Sequence, residues 1–232
     1  YKRQVLDRDE SQMQTAVAEL GDCATARKCD VTVEAEVAAV FGDLDRLDVL
    51  VNCVGVSDRG LLEKLSLERL NQLLPLNVHC TLLCSQQALP LLKQSRGVIV
   101  NIGSLAAKVG ARYIGAYAIC KHGVAALTQQ LRLELKPSGV HVGLVSPGPI
   151  RRDDAGRRYQ EIVGDDLPEQ AARPGGGTKV KGLPPQRVAD AVMRCIDKRL
   201  PDIVVPGYLR LLISFGHAFP RLGDWLLLKF TS

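Results

Sequence analysis

No apolar run of 18 residues or more occurs in these 232 residues, so no segment reads as a helix that spans a bilayer. No basic, apolar and small-residue succession of the secretory kind opens the sequence. The cysteines lack metal-site spacing. Cys80 and Cys84 are four apart, and no second pair completes a zinc site. Seven is also an odd count for a disulfide framework, so reduced and mostly buried thiols are expected, as in a cytosolic protein. Internal repeats are absent. So is any G-x-x-x-G-x-G. The stretch "PGGGTKVKG" follows no strand and lacks the spacing of a phosphate-binding loop. A net charge of +5 is too mild and too mixed to argue for nucleic acid. What remains is 46% hydrophobic and 24% charged, an ordinary globular balance that supports a sizeable core.

The chain alternates short apolar runs with helical patterns. Val5-Leu6 closes the first run, Ser11–Leu20 reads as a helix, and Ala26–Asp30 as a strand. A helix over 33–44 and a strand over Leu47–Gly55 follow. Residues 66–92 read as helical with a break near Pro75, and Gly97–Ser104 as a buried strand. A long helix runs from Tyr113 to Lys136, where Pro137 and Gly139 stop it. Val140–Gly148 is a strand, Pro184–Arg199 a helix and Asp202–Gly207 a last short strand. Strands apolar throughout and separated by helices mean a parallel sheet covered on both faces. Right-handed crossovers make that a doubly wound α/β fold of Rossmann type, in one domain. The long irregular segment from Arg151 to Gly182 is expected to be functional.

In such sheets ligands bind outside the carboxyl ends of the strands. Those ends read Asp7-Arg8, Cys29-Asp30-Val31, Asn52-Cys-Val-Gly55, Gly103-Ser104 and Ser146-Pro-Gly-Pro149. Directly after the Ser104 end comes "GAYAICK", with Tyr117 and Lys121 four residues apart on one helix face. A lysine there lowers the pKa of a neighbouring tyrosine electrostatically. The same pattern also suits an ordinary amphipathic helix whose lysine snorkels to water.

Taken together these pieces resemble the short-chain dehydrogenase/reductase family, from Val5 to Gly207. "NCVG" (Asn52–Gly55) looks like the family's Asn-Asn-Ala-Gly, and "CDVT" (Cys29–Thr32) like its adenine-side aspartate. "LNVHC" looks like the helix with the catalytic asparagine, here Asn77. Ser104 precedes Tyr117 by thirteen residues, the family separation, and "SPGPI" looks like the nicotinamide loop. The resemblance implies hydride transfer between a nicotinamide cofactor and a secondary alcohol or ketone. Tyr117 would serve as proton donor, Lys121 would tune it and hold the nicotinamide ribose, and Ser104 would orient the carbonyl. Asn77 would hold a relay water. Cofactor contacts would come from Asp7, Asp30, Val31, Asn52, Gly55, Tyr117, Lys121, Pro147, Gly148 and Ile150, with no metal. Asp7, at the end of the first strand, favours NAD by repelling a 2′-phosphate, with NADP the alternative through Arg8. At Arg152 the family usually carries a threonine.

The family places a first strand and a glycine-rich turn ahead of the point where this sequence begins, so a longer chain is expected. Residues 1–207 read as the dinucleotide-binding and catalytic domain, N-terminally incomplete, and 208–232 as an amphipathic tail. That tail, rich in leucine and aromatics, either folds back on the substrate pocket or a second subunit, or lies on a membrane surface. Pro220 and Gly223 should break any single helix in it. Apolar content around the pocket points to a hydrophobic carbonyl such as a steroid, retinoid or acyl chain. A cytoplasmic homodimer or homotetramer, in contact with a membrane surface in the second reading of the tail, is the implied setting. The rival class is a non-catalytic binding or scaffold protein on the same fold.

Overall fold

A computed structural model describes residues 2–151, 157–160, 163 and 167–231, with 157 and 158 described for backbone alone. Its strands are β1 (Arg3–Asp7), β2 (Ala24–Lys28), β3 (Val49–Asn52), β4 (Val98–Ile102), β5 (His141–Pro147) and β6 (Asp202–Val205). Its helices are α1 (Glu10–Leu20), α2 (Glu34–Gly42), α3 (Leu67–Leu74), α4 (Cys80–Ser95), α5 (Tyr117–Leu135), α6 (Arg157–Gln160), α7 (Pro185–Lys198), α8 (Leu209–Ala218) and α9 (Pro220–Phe230). All pairings among the six strands are parallel. β1 pairs with β2, and β3-β4-β5-β6 form a second ladder in that order.

Alternation along β4 explains the layers. Ile99 points to one face, where Val37, Val40 and Phe41 of α2, Cys84, Ala88 and Leu92 of α4 and Leu135 of α5 cover it. Val98 and Val100 point to the other, against Ala191 and Cys195 of α7. Leu6 and Cys29, on and just after the two N-terminal strands, pack into the first of these clusters with Leu50 and Ile99. Both hydrogen-bonded ladders therefore share one core. This is the doubly wound architecture the alternation of elements implies.

Two expectations need correction. The chain does not break at Pro75: residues Pro75–His79 form a π-helical turn that joins α3 to α4 without interruption. A π turn widens the helix by one residue, and Pro75, which has no N–H to give, marks its start. The helix after Ser104 begins at Tyr117 rather than Tyr113, because Tyr113 (φ 64°) and Gly115 (φ 50°) take left-handed backbone. Of the seven cysteines, Cys29, Cys80, Cys84, Cys120 and Cys195 are buried and Cys23 and Cys53 exposed, all as free thiols. Burial pushes the Cys84 thiol up to about 12, so it behaves as a small hydrophobe.

A chain of polar side chains runs through the interior beneath the sheet's carboxyl edge. Thr128 Oγ1 donates to Val124 O (2.6 Å) and accepts from Asn101 Nδ2 (2.9 Å). Asn52 Nδ2 donates to Asn101 Oδ1 (2.8 Å) and to Ser85 Oγ (3.1 Å). Ser85 and Thr81 then donate to the carbonyls one helical turn back, at Thr81 and Asn77. Removing a member leaves a buried partner short of a bond. Asn101→Leu is expected to lower the unfolding free energy by about 1–3 kcal/mol in urea denaturation. A loss below about 0.5 kcal/mol, the range of ordinary surface changes, would show that the chain does not support the fold.

Candidate active site

Lys121 is 4% exposed and buried against the end of β4, where its Nζ donates to Ile102 O at 2.9 Å. Its ammonium lies 5.7 Å from the centroid of the Tyr117 ring, one turn earlier on α5. Above it passes the backbone of Gly55. A methyl group there would sit 3.0 Å from Asn77 Oδ1 and 3.1 Å from Lys121 Nζ, so glycine is what lets the loop after β3 lie on the lysine. Burial lowers the pKa of Lys121, and the nearby thiols of Cys53, Cys80 and Cys120 oppose that shift.

Asn77, fully buried in the π turn, clamps the same loop. Its Oδ1 accepts from Val56 N and its Nδ2 donates to Val56 O, both at 3.1 Å. A second bond from Nδ2 goes to Leu73 O. The side chain is thus committed to holding the loop rather than directed at solvent. Ser104 caps the 3₁₀ turn Leu105–Ala107, its Oγ accepting from Ala106 N at 3.1 Å. Ser104 and Tyr117 line one cavity.

That cavity, about 1400 Å³, opens along the carboxyl edge of β3–β6. Ser104, Tyr117, Lys121, Gly55, Pro147, Gly148 and Ile150 line it. The Pro149–Arg151 strip is pinned by reciprocal bonds with Leu183, each 2.7 Å. Asp7, Asp30, Val31, Asn52 and Asn77 do not line the cavity. Asn52 turns its amide nitrogen into the interior chain. Asp7 stands exposed at the end of β1, its Oδ1 accepting from Asp9 N (3.0 Å). Two hydrogen bonds from Thr32 hold Asp30 below the usual carboxylate range, and the charge of Arg8 adds to them. Arg152 lies outside the described residues.

The sequence reading missed a buried charged pair. Asp58 is 2% exposed. Its Oδ1 accepts from Arg69 (2.8 and 3.1 Å) and its Oδ2 from Ala116 N (3.0 Å), the residue before Tyr117. Gly115 packs so closely on that carboxylate that no side chain would fit. Arg59, 7% exposed, lines the cavity and donates to the carbonyls of Asp58, Ala171 and Arg173. It stacks 4.0 Å above the Tyr159 ring. Desolvation lowers its pKa, opposed by Tyr159, Tyr117 and Asp58. The contact between Gly60 and Ile114, with the bond from Ala116 N to Asp58, brings these residues to Tyr117, and no sequence spacing signals it.

Helices α8 and α9 close the far side. They form a hairpin bent at Phe219, and Gly223 does not break α9. Instead Gly223 is buried against Gly216, where the two helices cross with almost no room for a side chain. Lys179 N donates to Phe230 O and His217 Nε2 lies 2.7 Å from Lys108 O, tying the hairpin to the cavity rim.

The profile described as short chain dehydrogenase matches residues 1–161, and the chain belongs to the short-chain dehydrogenase/reductase family. It is 36% identical over 175 residues to the "Inactive 2-(S)-hydroxypropyl-CoM dehydrogenase 2" of Xanthobacter autotrophicus, covering 73% of this chain and 75% of that one. It is 34% identical to carbonyl reductase family member 4 of Xenopus laevis, covering 66% of each. A short-chain dehydrogenase from Streptomyces avermitilis superposes with a TM-score of 0.75 at 22% identity, covering 96% of this chain and 88% of that one, and shares the fold.

Lys121 also yields a pH signature. Because burial lowers its pKa, the unfolded chain binds the proton more tightly in the window between the folded and ordinary lysine values. Stability therefore rises with pH there. Urea midpoints from pH 7 to 10 are expected to climb for the wild type relative to Lys121→Met. Parallel curves would mean that the site does not disfavour the ammonium.

Proposed function

We propose that the protein transfers a hydride between a nicotinamide cofactor and a hydrophobic secondary alcohol or ketone. The convergence of Tyr117, Lys121 and Ser104 on one largely apolar cavity carries this reading. When bound, the nicotinamide supplies or accepts the hydride at the carbonyl carbon. The residues fit it. Among the described residues Lys121 has a single acceptor, at Ile102, for three N–H donors, and Gly55 leaves the backbone bare beside it. Lys121 and Tyr117 would hold the nicotinamide side, with Pro147, Gly148 and Ile150 along the loop after β5. Asp7, Asp30, Val31 and the Asn52–Gly55 end would serve the adenosine side.

Within this chain the chemistry is proton handling. In the reducing direction Tyr117 donates its phenolic proton to the carbonyl oxygen as negative charge develops there. The Lys121 ammonium stabilises the tyrosinate left behind, and Arg59 adds a second cation close enough to couple with Tyr117. Ser104 donates to the same oxygen and fixes its position. In the oxidising direction each proton moves the other way. Bulky apolar walls from Val188, Val192, Leu212 and Leu227 support a hydrophobic substrate. Exposed Leu82, Ile119 and Leu133 on α4 and α5 support a homodimer or homotetramer. Among the described residues no helix is long and apolar enough to cross a membrane.

A non-catalytic reading draws support from the relative whose name calls it inactive. Turnover separates the two. Tyr117→Phe removes one hydroxyl and is expected to lower kcat by at least about 10²-fold, with the circular dichroism of the wild type retained. Near wild-type kcat in that variant would remove Tyr117 from the mechanism. Cofactor choice rests on Asp7, with NAD preferred over NADP. NADH is expected to bind more tightly than NADPH in a fluorescence titration, and Asp7→Ala to narrow the gap. Tighter NADPH binding by the unmodified protein would transfer the decision to Arg8.

A further inference from the structure

The α8–α9 hairpin has two apolar faces, and the cavity uses only one. Leu209, Ile213, Leu226 and Leu227 line the cavity. On the outer side Leu211 is 77% exposed, Phe215 47%, Phe219 55%, Leu222 39%, Trp225 53% and Leu228 49%. Phe215 and Phe219 stack with ring centroids 4.8 Å apart. Contiguous exposed apolar surface of this kind marks an interaction site. Cations interleave with it: Arg221, Trp225 and Lys229 follow at four-residue spacing on α9, and Lys229 Nζ lies 4.9 Å over the indole of Trp225. Arg210 adds a third cation on α8, and Asp224 is the one carboxylate between residues 207 and 231.

We propose that this outer face seats the protein on an anionic bilayer surface, with the hairpin lying in the headgroup layer. Apolar substrate would then reach the cavity through the membrane-facing wall. Two features favour a bilayer over a second copy of the chain. A two-fold contact through this face would gather six cations, Arg210, Arg221 and Lys229 from each copy, with little negative charge to answer them. Aromatic side chains mixed with lysine and arginine suit the boundary between headgroups and acyl chains. Helices of ten and eleven residues are too short to span and suited to lying flat. The substrate route rests on the oxidoreductase reading above, whereas the docking itself does not.

Trp225 is the chain's single tryptophan, so its fluorescence reports on this face alone. The protein is titrated with vesicles of phosphatidylcholine, and with vesicles that also contain phosphatidylglycerol. A blue shift and quenching by brominated acyl chains are expected. Partitioning should be roughly tenfold or more stronger on the anionic vesicles and should weaken with salt. A triple variant, Leu211→Gln, Phe215→Gln and Leu228→Gln, should lose binding to both vesicles. Arg221→Glu with Lys229→Glu should lose only the anionic preference, and each variant's circular dichroism checks its folding. Unchanged Trp225 emission with either vesicle overturns the proposal. So does a Trp225 shift that follows protein concentration alongside a dimer in sedimentation, which would assign the face to a second copy. Tyr117→Phe should bind vesicles like the wild type. Docking without turnover in the unmodified protein would sink the oxidoreductase reading alone, and turnover without docking would sink this one alone.

Discussion

An ammonium group buried where, among the described residues, no carboxylate touches it is the constraint around which this structure is built. Lys121 has one hydrogen-bond acceptor, the carbonyl that ends β4, and a ceiling of glycine backbone. An unpaired buried charge is expensive, and proteins retain one where its field is used. Here the field falls on Tyr117. The lysine stays in place because three elements fix its surroundings: α5 carries it, β4 receives it, and the loop after β3 covers it. Each of the three must therefore be held rigidly.

The interior polar chain supplies that rigidity. Asn77 grips Val56 at both its N–H and its C=O, as a strand neighbour would, so the covering loop cannot lift without breaking two bonds. The π turn that presents Asn77 is the local irregularity needed to aim it, and irregular turns of this kind gather at functional sites. From Asn77 the bonds continue through Thr81, Ser85, Asn52 and Asn101 to Thr128 on α5, the helix that bears Tyr117 and Lys121. A continuous chain of bonds thus runs from the loop that covers Lys121 to the helix that carries it. Hydrogen bonds in a low-dielectric interior are costly to leave unmade, which makes such a chain stiff.

Much of this was legible in the sequence because it depends on periodicity. Alternating β-branched runs and helical stretches mark the six strands and their crossovers, and polar residues at the strand ends mark the rim where the cavity opens. Tyr117, Lys121, Ser104 and Gly55 were recoverable because spacing along one helix, or a stop at glycine, is a one-dimensional signal. Asp58, Arg59 and Asn101 were not. Adjacent opposite charges such as Asp58 and Arg59 are usually solvated, and the contacts that bury this pair, with Arg69, Ala116, Ala171 and Arg173, have no periodic signal along the chain. Asn101 sits in a strand among valines and isoleucines, where its partners come from 27 and 49 residues away. Gly223 misled for the opposite reason: glycine disfavours a lone helix, yet it permits two helices to cross closely.

Charge and apolar surface are divided across the cavity, and that division separates chemistry from selection. Lys121 and Arg59 stand at the Tyr117 end, both largely removed from water and both donating to backbone carbonyls. Arg59 also ties the segment around Ala171 and Arg173 to the loop that follows β3, so the cation beside Tyr117 is itself the latch for one wall. At the opposite end the wall is a helix hairpin lined with leucine and isoleucine and tied to the body by hydrogen bonds at Lys179, Arg210 and His217. Electrostatic groups need fixed geometry to stabilise developing charge. Apolar recognition tolerates movement, because burial of carbon is not directional. On the proposed reading, the polar half of the site is the half that holds the proton, and the apolar half is the one that meets the substrate's carbon skeleton.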